Sequence, residues 1–491
     1  MYPATKYNLN GGSTTQDVRL NYANMPNWQV GTKQVLLGSE YDIVEPISKI
    51  EAVPSQVEFE LPANKSILFG PMTKFIIKGG FQYKRDDATG WLPAPIEEGN
   101  KVFMAPFWFE MLLKEISVFH NNYKVASSSE TRFIAPYLNA YLHAYMEPTA
   151  KKILCPQLEH PAYCLPINNE EWKPTCNGFD AYKKRVFKNG KITFEYTPLF
   201  LFPFYQGSNF MMEQDGVPRI LHMPSLGSMQ IRFNFHDDQD RIFFKEANNP
   251  HKYRFAFTGF DMMVEKARLN QSVEKPLQNP KRNLIYPGVT RMLLVEQVPD
   301  SQTTHHAKFQ DIVLPESLFI FCLDKSVASG TYTFATETLT TIFRNHNIQS
   351  VDLSFDGIRF AIKEPNLGTF RADPMDSKSL FDHMFNPPFG IRQDVSILTH
   401  AAMVEGSKAT AFPHLYIPLT KGADRQRLVP ALDSSGASTA RRADLAIDFK
   451  FTNANSAKSC VYIIYACYTD VNMIFDHKTR LFYSPYLKYM N

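Results

Sequence analysis

Two stretches half a chain apart carry the same strand–turn–strand pattern. "ISVFHNNYKV" (116–125) and "VDLSFDGIRF" (351–360) each alternate apolar and polar residues, pass through a two-residue turn that tolerates positive φ, and alternate again. Superposed, Ile116 falls on Val351, Val118 on Leu353, His120 on Phe355, Asn121-Asn122 on Asp356-Gly357, Tyr123 on Ile358 and Val125 on Phe360. The offset is constant at 235 residues (351 against 116) in a chain of 491. A strand cannot slip by one residue without turning its apolar face outward, so a register kept at this distance argues for an internal duplication.

The repeat extends past the hairpin. "RFIAPYLNAYLHAYMEP" (132–148) sets Ile134, Tyr137, Leu138, Tyr141, Leu142 and Tyr145 on one helical stripe ended by Pro148. "DPMDSKSLFDHMFNPP" (373–388) offers Asp376 or Ser377 as a cap, Leu380, Phe381, Met384 and Phe385 as the stripe, and Pro387-Pro388 as the stop. Later in each half, "MQIRFNF" (229–235) and "LAIDFKF" (445–451) match at an offset of 216 (445 against 229). Loops absorb such a change of spacing cheaply, whereas strands do not.

Period-two alternation dominates elsewhere, in 56–63, 74–84, 227–235, 253–269, 290–298, 316–324 and 444–453, and Gly79-Gly80 predicts a bulge or bend. "CVYIIYACY" (460–468) is apolar throughout and predicts a strand buried on both faces. No apolar run approaches the roughly 18–20 residues of a membrane-spanning helix. The polar start after Met1 is unlike a signal peptide. Six Cys in 491 residues are too few for a disulfide framework and suggest free thiols in a reducing compartment.

Two successive all-β domains of this size, each with one amphipathic helix, leave sandwiches, barrels and propellers. No blade repeat recurs, and a closed up-and-down barrel has little use for a mid-domain helix. The expected fold is therefore all-β: two tandem eight-stranded jelly-roll sandwiches with a short helix in each. The expected division is an N-terminal arm (1–45), a first jelly roll (46–272), a linker (273–289) and a second jelly roll with the C-terminal tail (290–491). Segments 149–195 and 421–443 are expected to be irregular surface excursions.

The order of these features resembles the double jelly-roll major capsid proteins of Polinton (Maverick) elements and their viral relatives, a group that includes the adenovirus hexon. In the first half the resemblance is carried by "WFEMLLKEISVFHNNYKVASSSETRFIAPYLNAYLHAY", "GVPRILHMPSLGSMQIRFNF" and "FDMMVEKARLNQSV". In the second it is carried by "YPGVTRMLLVEQVP", "NHNIQSVDLSFDGIRF" and "SLFDHMFN". It implies a homotrimer whose six jelly rolls form a pseudo-hexagonal tile of an icosahedral shell. The protein would sit in the virion, assembled inside the host cell, contacting penton and minor capsid proteins. A vertex subunit needs only one jelly roll, so the duplication argues against that role. The high supply of aromatic residues, 39 Phe and 23 Tyr, suits both sheet packing and permanent subunit contacts.

Candidates for chemistry are few. Cys155, His160, Cys164 and Cys176 form C-x4-H-x3-C-x11-C, which could supply four zinc ligands. The spacing is looser than a zinc knuckle, so small buried or loop cysteines are the expected reading. "HDDQD" gathers His236, Asp237, Asp238 and Asp240 after a strand, but lacks the glycine and spaced Glu of an EF-hand loop, so a solvated turn is expected. His305-His306 is read as a polar-loop pair, His120 and His383 as structural histidines, and Cys322 and Cys467 as inert core thiols.

No GxSxG, HExxH, phosphate-binding loop or dinucleotide fingerprint occurs, so no catalytic residue, cofactor site or metal site is assigned and no enzyme is expected. Net charge is +3, the arm carries only Lys6, Arg19 and Lys33 as cations, and "PKR" (280–282) and "ARR" (440–442) are short. No direct nucleic-acid contact is therefore expected. The alternative function is a carbohydrate-binding or carbohydrate-active jelly roll, which would need an aromatic-lined cleft with a carboxylate pair.

Overall fold

A computed structural model describes residues 36–61, 67–69, 74–86, 89–104, 108–129, 192–196, 221–223, 228–239, 242–245, 249–269, 284–299, 302–315, 317–324, 348–360, 414–419, 442–451, 460–476 and 481–483. These are nearly all strand. The first half contributes β1 (Leu36–Val44), β2 (Gln56–Leu61), β3 (Ile67–Phe69), β4 (Lys74–Lys84), β5 (Leu92–Pro93), β6 (Val102–Met104), β7 (Leu113–His120), β8 (Tyr123–Ser129), β9 (Ile192–Tyr196), β10 (Leu221–Met223), β11 (Met229–Phe235), β12 (Phe243–Lys245) and β13 (Lys252–Leu269). The second contributes β14 (Leu284–Val298), β15 (Thr304–Val313), β16 (Ser317–Asp324), β17 (Ile348–Phe355), β18 (Ile358–Phe360), β19 (His414–Pro418), β20 (Arg442–Phe451), β21 (Cys460–Asp476) and β22 (Leu481–Tyr483). The described helical turns are a 3-10 turn at Ile96–Asn100 and α1 (Trp108–Leu112). Both helices expected from sequence lie outside the described residues.

Each half builds the same two sheets. In the first, β1 pairs β13, β13 pairs β4 and β4 pairs β9, facing a sheet of order β2-β11-β7-β8. In the second, β14-β21-β16-β19 faces β15-β20-β17-β18. Taken in chain order, the first strand of each set pairs the eighth, the eighth the third and the third the sixth, while the second pairs the seventh, the seventh the fourth and the fourth the fifth. That is the strand order of a jelly roll, made twice from consecutive sequence.

The register repeats as well. Met229, Ile231 and Phe233 lie opposite His120, Val118 and Ile116, and Leu445, Ile447 and Phe449 lie opposite Phe355, Leu353 and Val351. The two offsets read from the sequence, 235 and 216, therefore describe one superposition. Both hairpins turn through two residues of positive φ, Asn121 (48°) and Asn122 (68°) in one, Asp356 (52°) and Gly357 (75°) in the other, which matches the twist of the flanking strands. Asn121 N–H donates to Ser228 O at 2.9 Å, and Asp356 N–H to Asp444 O at 3.4 Å, so the turns dock on corresponding residues too.

Aromatic rings join the sheets of the first roll. Phe59 and Phe233 from one sheet meet Phe75 and Phe260 from the other, with Phe75–Phe233 at 4.7 Å and Phe59–Phe260 at 5.3 Å, all four buried. In the second roll Tyr462 packs on Phe449 and Phe451 at 5.6 and 5.8 Å. Val461, Tyr462, Ile463 and Ile464 are all buried, so β21 is covered on both faces as its unbroken apolar run requires.

Bulges keep long strands in phase. Along β13, Tyr253, Phe255 and Phe257 are buried, and then Phe260, Met262 and Val264, with the parity changed between the two sets. The extra residue is Thr258, because Phe257 pairs Gly79 while Gly259 pairs Lys78. The bulge expected at Gly79-Gly80 is thus in the partner strand. Gly79 instead leaves room for the Phe255 ring, which a Cβ there would meet at 2.4 Å. In β15 the phase change sits at Asp311 (φ 46°), so that Ala307, Phe309 and Ile312 all point inward.

Several strands lie outside the segments in which the sequence predicted them. Leu36–Val44, assigned to the arm, is a full edge strand, held by its ladder to β13 while Tyr41 and Ile43 stay exposed, so it lacks a buried apolar period. Strand β14 starts at Leu284 inside the expected linker. Its Pro287-Gly288 resembled a break, yet proline is tolerated in an edge strand, where its missing N–H need not face the partner. Ile192–Tyr196, counted within an irregular excursion, is a strand alternating on β4.

Candidate functional site

The zinc candidates Cys155, His160, Cys164 and Cys176 lie outside the described residues, as do His383, Asp240 and the 280–282 cluster. Among the described residues no group of three or more His, Cys, Asp or Glu is placed to hold a metal, and no helix is long and apolar enough to cross a membrane. Cys322 and Cys467 fall in β16 and β21, and His120 ends β7.

The "HDDQD" segment is a structural corner. Asp237 and Asp238 are exposed, while Gln239 is buried and its Oε1 accepts the Phe255 backbone N–H at 2.9 Å. His236 N–H donates to Leu112 O at 2.8 Å. Gln239, between two acids, carried no signal of burial in the sequence.

His305-His306 is not in a loop. It lies in β15, where alternation sends the two rings to opposite faces. His305 Nε2 lies 3.1 Å from Glu296 Oε2, joining β14 to β15 across the sandwich corner, and His306 Nδ1 lies 2.6 Å from Asp448 Oδ1 on the outer face. The sequence misled because two consecutive histidines among polar residues have no apolar period.

An open groove of about 550 Å³ runs along this outer face, lined by His306, Lys308, Asp311, Asp356, Arg442 and Asp444 among others, with no Phe, Tyr or Trp among the described lining residues. Its charges are largely matched to one another. Lys308 reaches Asp444 Oδ2 at 2.6 Å, the Asp311 N–H donates to Asp444 Oδ1 at 2.9 Å, and Arg442 Nη1 donates to Asp311 O at 3.2 Å. Hydrogen bonds from Lys308 and the Asp311 backbone hold the Asp444 carboxyl below its ordinary range. The corresponding face of the first roll is also a ladder of ion pairs, Arg232–Glu58 at 3.1 Å and Lys124–Glu115, with Arg232 lying 4.5 Å over the Phe119 ring. Open, charge-matched faces of this kind are unlike the enclosed, mostly apolar pockets that capture small molecules.

One buried carboxylate escaped the sequence reading, since nothing in "PIEEGNK" marks the second of its two Glu for burial. Glu98 accepts from Tyr253 Oη at 2.7 Å and from Lys101 Nζ at 3.1 Å, and His251 Nδ1 lies 3.4 Å away. Asn249 Nδ2 donates to Tyr253 Oη at 2.8 Å, completing a network that ties the 3-10 turn to the start of β13. Burial pushes the Glu98 carboxyl up, but the Tyr253, Lys101 and His251 contacts outweigh it and hold the group below its usual range. This satisfied network is a fastener between the 3-10 turn and β13.

No protein-family model and no curated protein matches the chain. Among solved structures it is similar to the mavirus major capsid protein, at a TM-score of 0.50 and 9% identity over 99% of this chain and 96% of that one. It is also similar to a chain of the Sputnik virophage, at a TM-score of 0.53 and 12% identity over 94% of this chain and 90% of that one. Both likenesses span the two halves together, including their order. The chain therefore has the double jelly-roll fold found in the mavirus major capsid protein.

Proposed function

We propose that the protein is a major capsid protein of the Polinton/Maverick, hexon-like kind, whose trimer forms a pseudo-hexagonal capsomer tiling an icosahedral shell. The observation that carries this reading is the strand-for-strand repetition of a complete jelly roll within one polypeptide, similar from end to end to a virophage coat subunit. Three such chains supply six near-equivalent rolls, which is what a hexagonal lattice position needs. The two rolls divide between Leu269 and Leu284, and the charge-matched outer sheets are suited to lateral contact.

A coat subunit needs no active site and works by self-association, with penton and minor capsid proteins as further partners in the virion. The carbohydrate reading requires an aromatic-lined cleft with paired acids, and among the described residues lining the groove on the second roll there is no Phe, Tyr or Trp. Native mass spectrometry of the purified chain tests the proposal. A species at three times the 56.3 kDa chain, or larger assemblies built from it, is expected. A stable monomer that binds glycans would overturn it.

A further inference from the structure

At the end where β4 leaves and β13 enters the first roll, the sheet has an outer face opposite buried Tyr83 and Tyr253. Lys84 and Lys252 are direct cross-strand partners there, and the next pair on the same face is Gln82 with Arg254. Strand β5 adds a third column. Pro93 pairs Gln82, and the same register continued by one residue brings Trp91 beside Lys84. Six residues of three strands thus form a two-by-three grid with three cations and no acid.

Like charges directly opposite in an antiparallel pair are unfavourable. None of Lys84, Lys252 and Arg254 has a carboxylate partner among the described residues, in contrast to Lys74, Lys78, Lys101, Lys124 and Arg232, which all do. The arginine is nevertheless held in place. Its Nε and Nη2 both donate to Gln82 Oε1, at 2.9 and 2.8 Å, and its guanidinium carbon lies 4.3 Å over the Trp91 ring. Burial lowers the Arg254 pKa from its ordinary value, as expected of a cation partly stripped of water without a counter-charge. A merely solvated face would not fix a guanidinium this way. Among the described residues, exposed Asp86 in the turn after β4 and exposed Glu97 after β5 lie outside the grid, and Asp87 lies outside the described residues.

We propose that this grid is a docking site for an extended acidic segment of a partner polypeptide. Lys252 and Arg254 are two residues apart on one strand, which spaces them about 6–7 Å, the repeat of alternate side chains on an extended peptide. Alternate carboxylates would meet Lys252 and Arg254, with Lys84 on the middle strand, while Trp91 and Pro93 border the cations on the β5 side. Nucleic acid fits less well: base stacking wants an open aromatic face, and Arg254 lies over Trp91.

The test is fluorescence anisotropy of the full-length protein with a labelled peptide of alternating Glu and Thr, beside a labelled oligothymidylate of equal length. The peptide should bind at low salt and weaken as salt rises. Arg254→Gln and Lys252→Glu should each weaken it about tenfold or more, and Lys49→Gln, at an exposed site elsewhere, should leave it unchanged. Lys252→Glu sets an acid opposite Lys84, so its melting temperature should not fall, which separates lost docking from lost folding. Absence of peptide binding, indifference to Lys252→Glu, or equal or tighter oligothymidylate binding with the same residue dependence would each overturn the proposal.

Discussion

Gly79 and Gly259 flank the bulge that keeps β13 in phase, and replacing each by alanine should give very different outcomes. A Cβ at Gly79 would lie 2.4 Å from Phe255 Cζ and 2.5 Å from the Ala256 carbonyl oxygen. The first contact is about 1 Å short of ordinary carbon–carbon separation. Neither neighbour can yield easily. The Phe255 ring is wedged against Phe81, Trp108 and Phe257 at 5.2, 4.9 and 4.9 Å, and Ala256 O belongs to the ladder of the central strand. Relief requires opening β4 from β13, at the roughly 1–3 kcal/mol of core overpacking. About 1 kcal/mol is added for a weakened ladder hydrogen bond. The smaller entropy of the alanine chain when unfolded returns about 0.4–1 kcal/mol.

Gly79→Ala should therefore cost about 1–3.5 kcal/mol, and for a roll of about 200 residues lower Tm by roughly 2–14 °C. At Gly259 the three atoms nearest an added Cβ all belong to the Lys78 side chain, the closest being Cδ at 3.1 Å, and that side chain is half exposed in a surface ion pair with Asp261 that a small shift can preserve. Gly259→Ala should leave Tm within about 2 °C of the parent. Thermal unfolding of the parent and both variants, followed by circular dichroism at matched protein concentration, decides the matter. A Gly79→Ala protein as stable as Gly259→Ala would refute the packing account of this sheet.

Three further perturbations follow from the same geometry. Glu98→Gln should destabilise the first roll by about 1–3 kcal/mol at neutral pH, through loss of a buried charge-assisted network. Because the folded carboxyl is held below its usual range, that contribution is present above the unfolded carboxylate pKa and fades as pH falls through the folded value. The gap between parent and variant in urea unfolding should thus shrink below about pH 4.5; a gap that widens in acid would contradict the assignment. Deleting Thr258 should turn Phe260, Met262 and Val264 outward, at about 1.5–3 kcal/mol each, and leave no soluble folded chain; a normal circular dichroism spectrum would disprove the phase argument. Gly357→Ala, at φ 75° with open space around it, should cost about 1–2 kcal/mol by backbone strain alone, and an unchanged urea midpoint would count against it.

Much of the architecture was legible because duplication makes register visible. The hairpins at 116–125 and 351–360 and the strands at 229–235 and 445–451 pair as their two offsets require, since period-two burial forbids slippage. Strands without a buried apolar period were not legible. Strand β1 is held by main-chain hydrogen bonds at a sheet edge, β14 contains a proline that only an edge position excuses, and the His305-His306 strand has polar residues where alternation would have shown.

The sites divide in the same way. Absence of catalytic motifs was readable as spelling, whereas Glu98 acquires its donors from Tyr253 and His251 more than 150 positions away in sequence, and no local pattern announces that. Likewise, the opposition of Lys84 to Lys252, the clamp of Gln82 on Arg254 and the exclusion of any Cβ at Gly79 exist only once β4 lies against β13. Alternation and repetition along the chain determined which strands form and that they form twice, because burial of one face is a local periodic demand. Which charges meet, which stay unmatched and where an extra residue must be inserted were decided by tertiary pairing, because those depend on distances between segments that the chain brings together only on folding.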